Sequence, residues 1–294
     1  MMNFEEFTNM IVKNVSDHLE DVLVTVHPVK KNNGVELQGL IFRDKGNMSP
    51  TIYIDSYYRQ YEENRPLADI VDDIVKTYQD NKLDDTVDTS FFTDLTNVKS
   101  CIICNLVNYE RNKELLEDIP HYRFLDLAIV FKVHLNSFIN GMATVLIHNN
   151  HLAIWNISKE TLRDLAIVNT PRIFPYTLTD MGSLLGELLG EDDICGEFRP
   201  EVPMYVLSNN VRMHGAVSLL YNDVLKELSN RLNTDLCILP SSVHETIILP
   251  VSGEIRTEEF CEMVREVNTT QLSREEILSD HVYYYVRESN EIIM

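Results

Sequence analysis

Ser241, Ser242, His244 and Glu245 fall within one short segment, P-S-S-V-H-E (Pro240–Glu245), between the apolar runs I-L-P and T-I-I-L-P. A hydroxyl, an imidazole and a carboxylate are the parts of nucleophilic catalysis. That chemistry needs the imidazole as acceptor within hydrogen-bond reach of the hydroxyl, and a carboxylate behind it. In an extended segment Ser242 and His244 point to the same face, which allows the arrangement. Ser241 or Ser242 is then the nucleophile, His244 the base, and Glu245 or a remote carboxylate the orienting group. No G-x-S-x-G elbow surrounds either serine. The alternative is a turn: serines between strands bond local backbone, while His244 and Glu245 fix the entry to the next strand.

Three further groups invite a chemical reading. H-E-T-I-I (244–248) begins like a zinc-protease helix, but Ile248 stands where the second histidine must be, and its β-branched run favours a strand. His148 and His151 bracket Asn149-Asn150; a metal there needs ligands from elsewhere, and turn-exposed polar residues account for the pattern. Cys101 and Cys104 have knuckle or redox spacing, yet the intervening residues are both isoleucine and no second C-x-x-C exists, so buried cysteines acting as small hydrophobes are expected. No Walker A loop and no G-x-G-x-x-G fingerprint is present. The acid pairs Asp72-Asp73 and Asp192-Asp193 are adjacent and diverge on any regular element, which makes them poor acid/base couples. No metal and no cofactor is expected.

The elements that must position these residues alternate between hairpins and helices. Phe4, Phe7, Ile11, Val15 and Leu19 are spaced for an amphipathic helix. Strands over 22–28 and 35–42 flank K-K-N-N-G, where Asn33-Gly34 suits the positive φ of a type I′ turn. T-I-Y-I-D (51–55) reads as a third strand, and Pro66 opens a helix through Tyr78. The polar run 80–97 marks a boundary. Beyond it come a strand over 101–107, a helix around 110–117, a strand over 125–135, and a hairpin over 143–155 turning at Asn149-Asn150. Ser158 caps the next helix.

Residues 170–203 carry four prolines and the acidic E-D-D at 191–193 and read as a linker or loop, with one short helix through Met181–Leu189. The C-terminal stretch predicts a hairpin from 204–208 and 215–221, a helix opened by Asn222, strands over 236–240 and 246–251, a helix capped by Thr257, a Ser273/Glu276 capping box and a closing strand over 281–286. The fold class is α+β: repeated hairpin-plus-helix units forming mixed or antiparallel sheets packed on helices. The divisions are an N-terminal lobe 1–97, a central lobe 98–169, the acidic Pro/Gly linker 170–203 and a C-terminal lobe 204–294.

The segments M-Y-V-L-S-N (204–209), L-L-Y-N-D-V-L-K-E within 215–227, D-L-C-I-L-P-S-S-V-H-E-T (235–246), V-R-E-V-N-T-T-Q (264–271) and L-S-D-H-V-Y-Y-Y (278–285) carry a resemblance. Through them the chain resembles a family of uncharacterised bacterial proteins, a domain-of-unknown-function family common in anaerobic gut Firmicutes. The I-L-P-S-S, R-E-V-N and L-S-D-H-V-Y-Y-Y elements are similar to a second uncharacterised bacterial family of comparable α+β layout. The resemblance implies a bacterial cytosolic origin and brings no activity or catalytic residue.

Composition narrows the rest. At 294 residues with 44% hydrophobic and 9% aromatic content, the chain is long enough for a sizeable core. No run of about 18 apolar residues occurs. M-M-N-F-E-E-F is acidic where an export signal starts positive, and the five cysteines at 101, 104, 195, 237 and 261 are odd in number, so a cytoplasm with reduced thiols is expected. Forty-six acids against 25 bases give −21, which disfavours direct nucleic-acid or membrane-surface binding. Three functions follow from these features. The first is a non-enzymatic acidic protein that binds a protein partner, naturally a basic one. The second is a hydrolase built on Pro240–Glu245, and the third an acidic nucleic-acid mimic that inhibits a nucleic-acid enzyme.

Overall fold

The computed structural model describes residues 1–44, 50–82, 92–135, 144–184, 203–251 and 257–294. Contacts divide the chain into two compact units, Met1–Phe92 with Leu135–Ala143, and Thr93–His134 with Thr144–Met294.

In the first unit, α1 (Phe4–His18) starts at a capping box in which the Asn3 side chain accepts from the Glu6 amide and the Glu6 carboxylate accepts from the Asn3 amide. Its apolar stripe buries Phe7, Ile11 and Val15. β1 (Leu23–Lys30) and β2 (Glu36–Arg43) pair antiparallel from Leu23↔Arg43 to Lys30↔Glu36. Asn33 (φ 60°) and Gly34 (φ 66°) both take the expected positive φ, within a loop closed by Lys31 N–H to the Val35 carbonyl at 2.7 Å. β3 (Thr51–Tyr53) is shorter than expected, because the chain turns into α2 (Ile54–Glu62) at once and Asp55 accepts from the Gln38 amide at 2.8 Å. α3 (Leu67–Asn81) follows Pro66. Phe7, Ile11, Leu40, Ile54, Ile70 and Ile74 are sealed from solvent, each contributing about 1.5–3 kcal/mol by burial.

The second unit holds two antiparallel sheets. α4 (Leu95–Val98) leads into β4 (Ile102–Asn108), which is buried almost throughout. α5 (Lys113–Asp118), β5 (His121–Phe124), β6 (Leu127–His134) and β7 (Thr144–Leu146) follow. The sheet order is β4-β6-β5, with β7 also on β6. α6 (Asn149–Trp155) and α7 (Lys159–Ile173) come next. The larger sheet runs β13-β12-β10-β11-β9-β8, from β8 (Tyr176–Asp180), β9 (Tyr205–Asn209), β10 (Leu236–Leu239), β11 (Thr246–Pro250), β12 (Tyr283–Val286) and β13 (Glu291–Ile293). Between its strands lie α8 (Val224–Leu232) and α9 (Thr257–Thr270).

The fold is α+β, as read from the sequence, with corrections in detail. The hairpin expected at Asn149-Asn150 is the start of α6: the His148 ring accepts from the backbone of His151, the His151 ring from the His148 amide, and Leu152 and Trp155 fall at helical spacing. The second strand expected over 215–221 is a 3₁₀ turn, Gly215–Leu220, whose first five residues are all buried, so the apolar run carries no periodicity. Within the stretch read as a linker, α7 continues through Pro171 to Ile173, β8 alternates as Y-T-L-T-D, and a helical turn spans 181–184. The E-D-D cluster, Cys195 and Leu185–Leu189 lie outside the described residues. Ser273 and Glu276 make half of the expected box, the Glu276 carboxylate accepting from the Ser273 amide, but no helix follows.

Ser158 caps α7, accepting from the Thr161 amide, and α7 packs on β4 through Thr170. The Thr170 hydroxyl accepts from the Cys104 amide at 3.0 Å and donates to the Ala166 carbonyl at 2.6 Å, all in the buried interior. Thr170→Val keeps the shape and orphans a buried N–H. It should lower stability to urea by about 1–3 kcal/mol, while Thr170→Ser should recover most of that loss.

Candidate functional site

β10 and β11 pair from Leu236↔Pro250 to Leu239↔Ile247 and hold the Pro240–Glu245 loop between them. A second segment closes over this loop. The Val243 amide donates to the Glu276 carbonyl at 2.8 Å, the Leu278 amide to the Ser241 carbonyl at 2.7 Å, and the Ser279 amide to the Pro240 carbonyl at 3.0 Å. The loop is therefore a braced piece of backbone, not a free turn.

Inside it the chemical groups separate. Ser242 is 4% exposed, and its Oγ accepts from the His244 amide at 3.0 Å. The His244 ring turns toward other partners: Nδ1 accepts from the His214 amide at 3.3 Å, and Nε2 lies 3.6 Å from a Glu276 carboxylate oxygen. A backbone donor on Nδ1 puts the proton of the neutral ring on Nε2. Among the described residues neither ring nitrogen meets a serine hydroxyl, so the contact that nucleophilic catalysis needs is not formed. Glu245 is exposed.

Ser241, Ser242 and Glu245 do share a concavity, a cleft of about 330 Å³. Its floor is one face of three neighbouring strands. Register sets Thr177 against Ser208 and Thr179 against Val206, with Ile247 on the other side of Val206. Met181, Leu184, Val267 and Leu272 add apolar walls, and Arg212 stands at the loop after β9. β8 is the last strand of its sheet; its outer side carries no strand among the described residues.

The loop from Asn209 to Gly215 is tightly specified. Gly215 approaches its neighbours so closely that a Cβ would sit 2.2 Å from Ser208 Oγ and 2.5 Å from the His244 carbonyl oxygen. His214 stacks obliquely on His244, ring centres 5.6 Å apart. Burial, with Lys132 and His244 nearby, brings the His214 pKa from 6.5 down to about 3.

The remaining candidates resolve into structure. His148 and His151 cap α6, and the His151 ring stacks on Trp155 with centres 5.5 Å apart. Cys104 is buried, its thiol pushed up to about 11 by desolvation, the opposite of a reactive thiolate. Cys101 is partly exposed beside Ser100. No described helix is long and apolar enough to cross a membrane, and no group of three or more metal-ligating side chains occurs among the described residues.

A cluster that sequence reasoning did not assemble sits in L-S-D-H-V-Y-Y-Y. Asp126, from the turn between β5 and β6, accepts from the Ser279 hydroxyl at 2.8 Å and from the Tyr283 hydroxyl, and its Oδ2 lies 3.1 Å from His281 Nδ1. The types are those of a Ser-His-Asp triad, but the connectivity differs, since Ser279 donates to the carboxylate and not to the imidazole. Asp280 pairs with Arg111 at 2.6 Å, and Asn108 donates to the Leu278 carbonyl at 2.9 Å. The motif itself was the only available signal; Asp126 lies 153 residues from Ser279.

The model of a family of unknown function (DUF5688) matches residues 4–287. No curated protein and no solved structure matches the chain.

Two outcomes follow for stability. Between pH 6.5 and about 3 the unfolded chain holds a proton that folded His214 does not. Stability should therefore rise with pH across that window, by up to about 1.4 kcal/mol per unit. His214→Asn, which suits the left-handed backbone there, should flatten the slope in urea titrations at stepped pH. For the cluster, Asp126→Ala should cost about 3 kcal/mol or more. Tyr283→Phe, which removes one donor, should cost about 1–2 kcal/mol, and half-exposed His281→Gln less still; equal losses would remove Asp126 as the hub.

Proposed function

The chain belongs to DUF5688, and for it we propose a non-enzymatic role in a bacterial cytoplasm: an acidic protein that takes an extended segment of a basic protein partner along the β8 edge. One observation carries the reading. The six-stranded sheet ends at β8, whose outer side pairs with no described strand and whose residues are partly exposed, with Tyr176 at 41%. A strand edge of this kind supplies backbone donors and acceptors in register, and an added peptide gains affinity from them. The −21 charge selects the sign of the partner, and Asp180 at the end of β8 adds a local carboxylate. The His244 geometry supports binding over hydrolysis, because its ring nitrogens are directed to the His214 amide and to Glu276.

The test is affinity capture from a nuclease-treated bacterial lysate, followed by titration with the purified partner. A basic partner should bind stoichiometrically and lose about tenfold or more in affinity between roughly 50 and 500 mM salt. Asp180→Lys should weaken binding and reduce that salt dependence. Salt-insensitive association, or binding unchanged by Asp180→Lys, would remove the acidic β8 edge from the explanation.

A further inference from the structure

The cleft beside β8 carries two charges that no described residue satisfies. Arg212 and Glu245 both line it, both are exposed, and among the described residues neither makes a side-chain hydrogen bond or ion pair. The same cleft is lined by the hydroxyl-bearing Thr177, Thr179 and Ser208 and by the aliphatic Met181, Leu184 and Leu272. At about 330 Å³ the cleft falls at the small end of ligand pockets, which run from about 300 to 1,000 Å³.

The backbone at Arg212 is held. Asn209 is 1% exposed; its Oδ1 accepts from the Val211 amide at 3.2 Å and the Met213 amide at 3.3 Å, and its Nδ2 donates to the Met213 carbonyl at 2.8 Å. This clamp fixes Arg212 at φ 52° and His214 at φ 53°. A non-glycine residue in the left-handed region costs of order 1–3 kcal/mol and persists only where its surroundings over-determine it. Such residues gather at binding sites, where the ordering of the backbone is complete before a ligand arrives. Glu245 directly precedes β11, whose pairs with β9 start at Thr246↔Leu207.

A guanidinium matches a carboxylate in fork geometry, and a carboxylate accepts from an ammonium. Opposite charges at one small cleft, with aliphatic walls, complement a molecule bearing both groups on one carbon and a short apolar tail. We propose that this cleft binds a free aliphatic α-amino acid as its zwitterion, with the α-carboxylate on Arg212, the α-ammonium on Glu245 and the side chain against Met181, Leu184 and Leu272. The site is independent of strand addition at β8, which engages backbone along the sheet edge.

The test is calorimetric titration of the full chain with L-leucine, L-isoleucine and L-valine, backed by thermal shift. At least one should bind and raise the melting temperature at about 10 mM ligand or below. Three analogues of L-leucine separate the contacts: 4-methylpentanoate lacks the ammonium, isopentylamine lacks the carboxylate, and N-acetyl-leucine amide lacks both charges. Each should bind about tenfold weaker or worse. Arg212→Gln and Glu245→Gln should each weaken L-leucine by a similar factor with unchanged circular dichroism, since both side chains are exposed. No binding by any of the three amino acids overturns the proposal, as does binding insensitive to both substitutions. So does tighter binding of N-acetyl-leucine amide, which would make the ligand an internal peptide segment. The salt-dependent capture of a protein partner is read without amino acid present, so either idea can fail alone.

Discussion

The Asp126 carboxylate is the anchor on which the second unit depends. It is almost buried, and a buried carboxylate is tolerable only if its oxygens are filled with donors. Two hydroxyls, from Ser279 and Tyr283, supply them, with His281 alongside. All three come from one stretch of chain, so satisfying a single charge fixes the whole 279–283 segment against the β5–β6 turn. That turn is itself constrained, with Leu125 at φ 54° and the Asp126 carbonyl accepting from the Tyr109 amide at 3.0 Å. The neighbouring Arg111–Asp280 pair is a third exposed and contributes less; the buried amide of Asn108 on the Leu278 carbonyl contributes more for its size.

From that anchor the order passes to the cleft. Leu278 and Ser279 donate their amides to the carbonyls of Ser241 and Pro240, and Ser242 bridges Ile277. The loop that presents Ser241, Ser242 and Glu245 is thus held by backbone bonds to a segment that Asp126 holds by side-chain bonds. The His244 carbonyl then accepts from the Ser208 hydroxyl at 2.8 Å, which ties the loop to β9 and leaves no room for a Cβ at Gly215. The bonds along this route fix the backbone that carries the P-S-S-V-H-E side chains.

How much of this was readable follows from the range of each interaction. Asn33-Gly34, Pro66 and Ser158 announce their turns and helix starts because their backbone preferences act within a few residues. The alternation in H-V-Y-Y-Y-V likewise shows: Tyr283 and Tyr285 are buried while Tyr284 is partly exposed. The 3₁₀ turn at Gly215–Leu220 is hidden because a segment buried on every side has no period to read. α6 is hidden because histidine is an unusual cap, and the H-N-N-H pattern fits a turn as well as a helix start. Asp126 could not be found at all: its role is set by residues more than 150 positions away, and nothing in F-L-D-L distinguishes it from any surface aspartate.

The same route explains why the Ser242 hydroxyl and the His244 ring do not meet although their spacing permits it. In a regular strand the two would lie on one face. Here the His244 amide bonds back to Ser242 Oγ, a serine turn that swings the following ring out of the serine's reach and toward the His214 backbone. His214 can meet it only because it occupies the left-handed region, and it reaches that region because Gly215 lets the chain press against Ser208 and the His244 carbonyl. Desolvation of His214, with Lys132 and the His244 ring beside it, then keeps His214 neutral far below the usual histidine range. The two histidines thus hold the backbone that leads to Arg212 on one side and Glu245 on the other, the exposed charged residues that line the cleft.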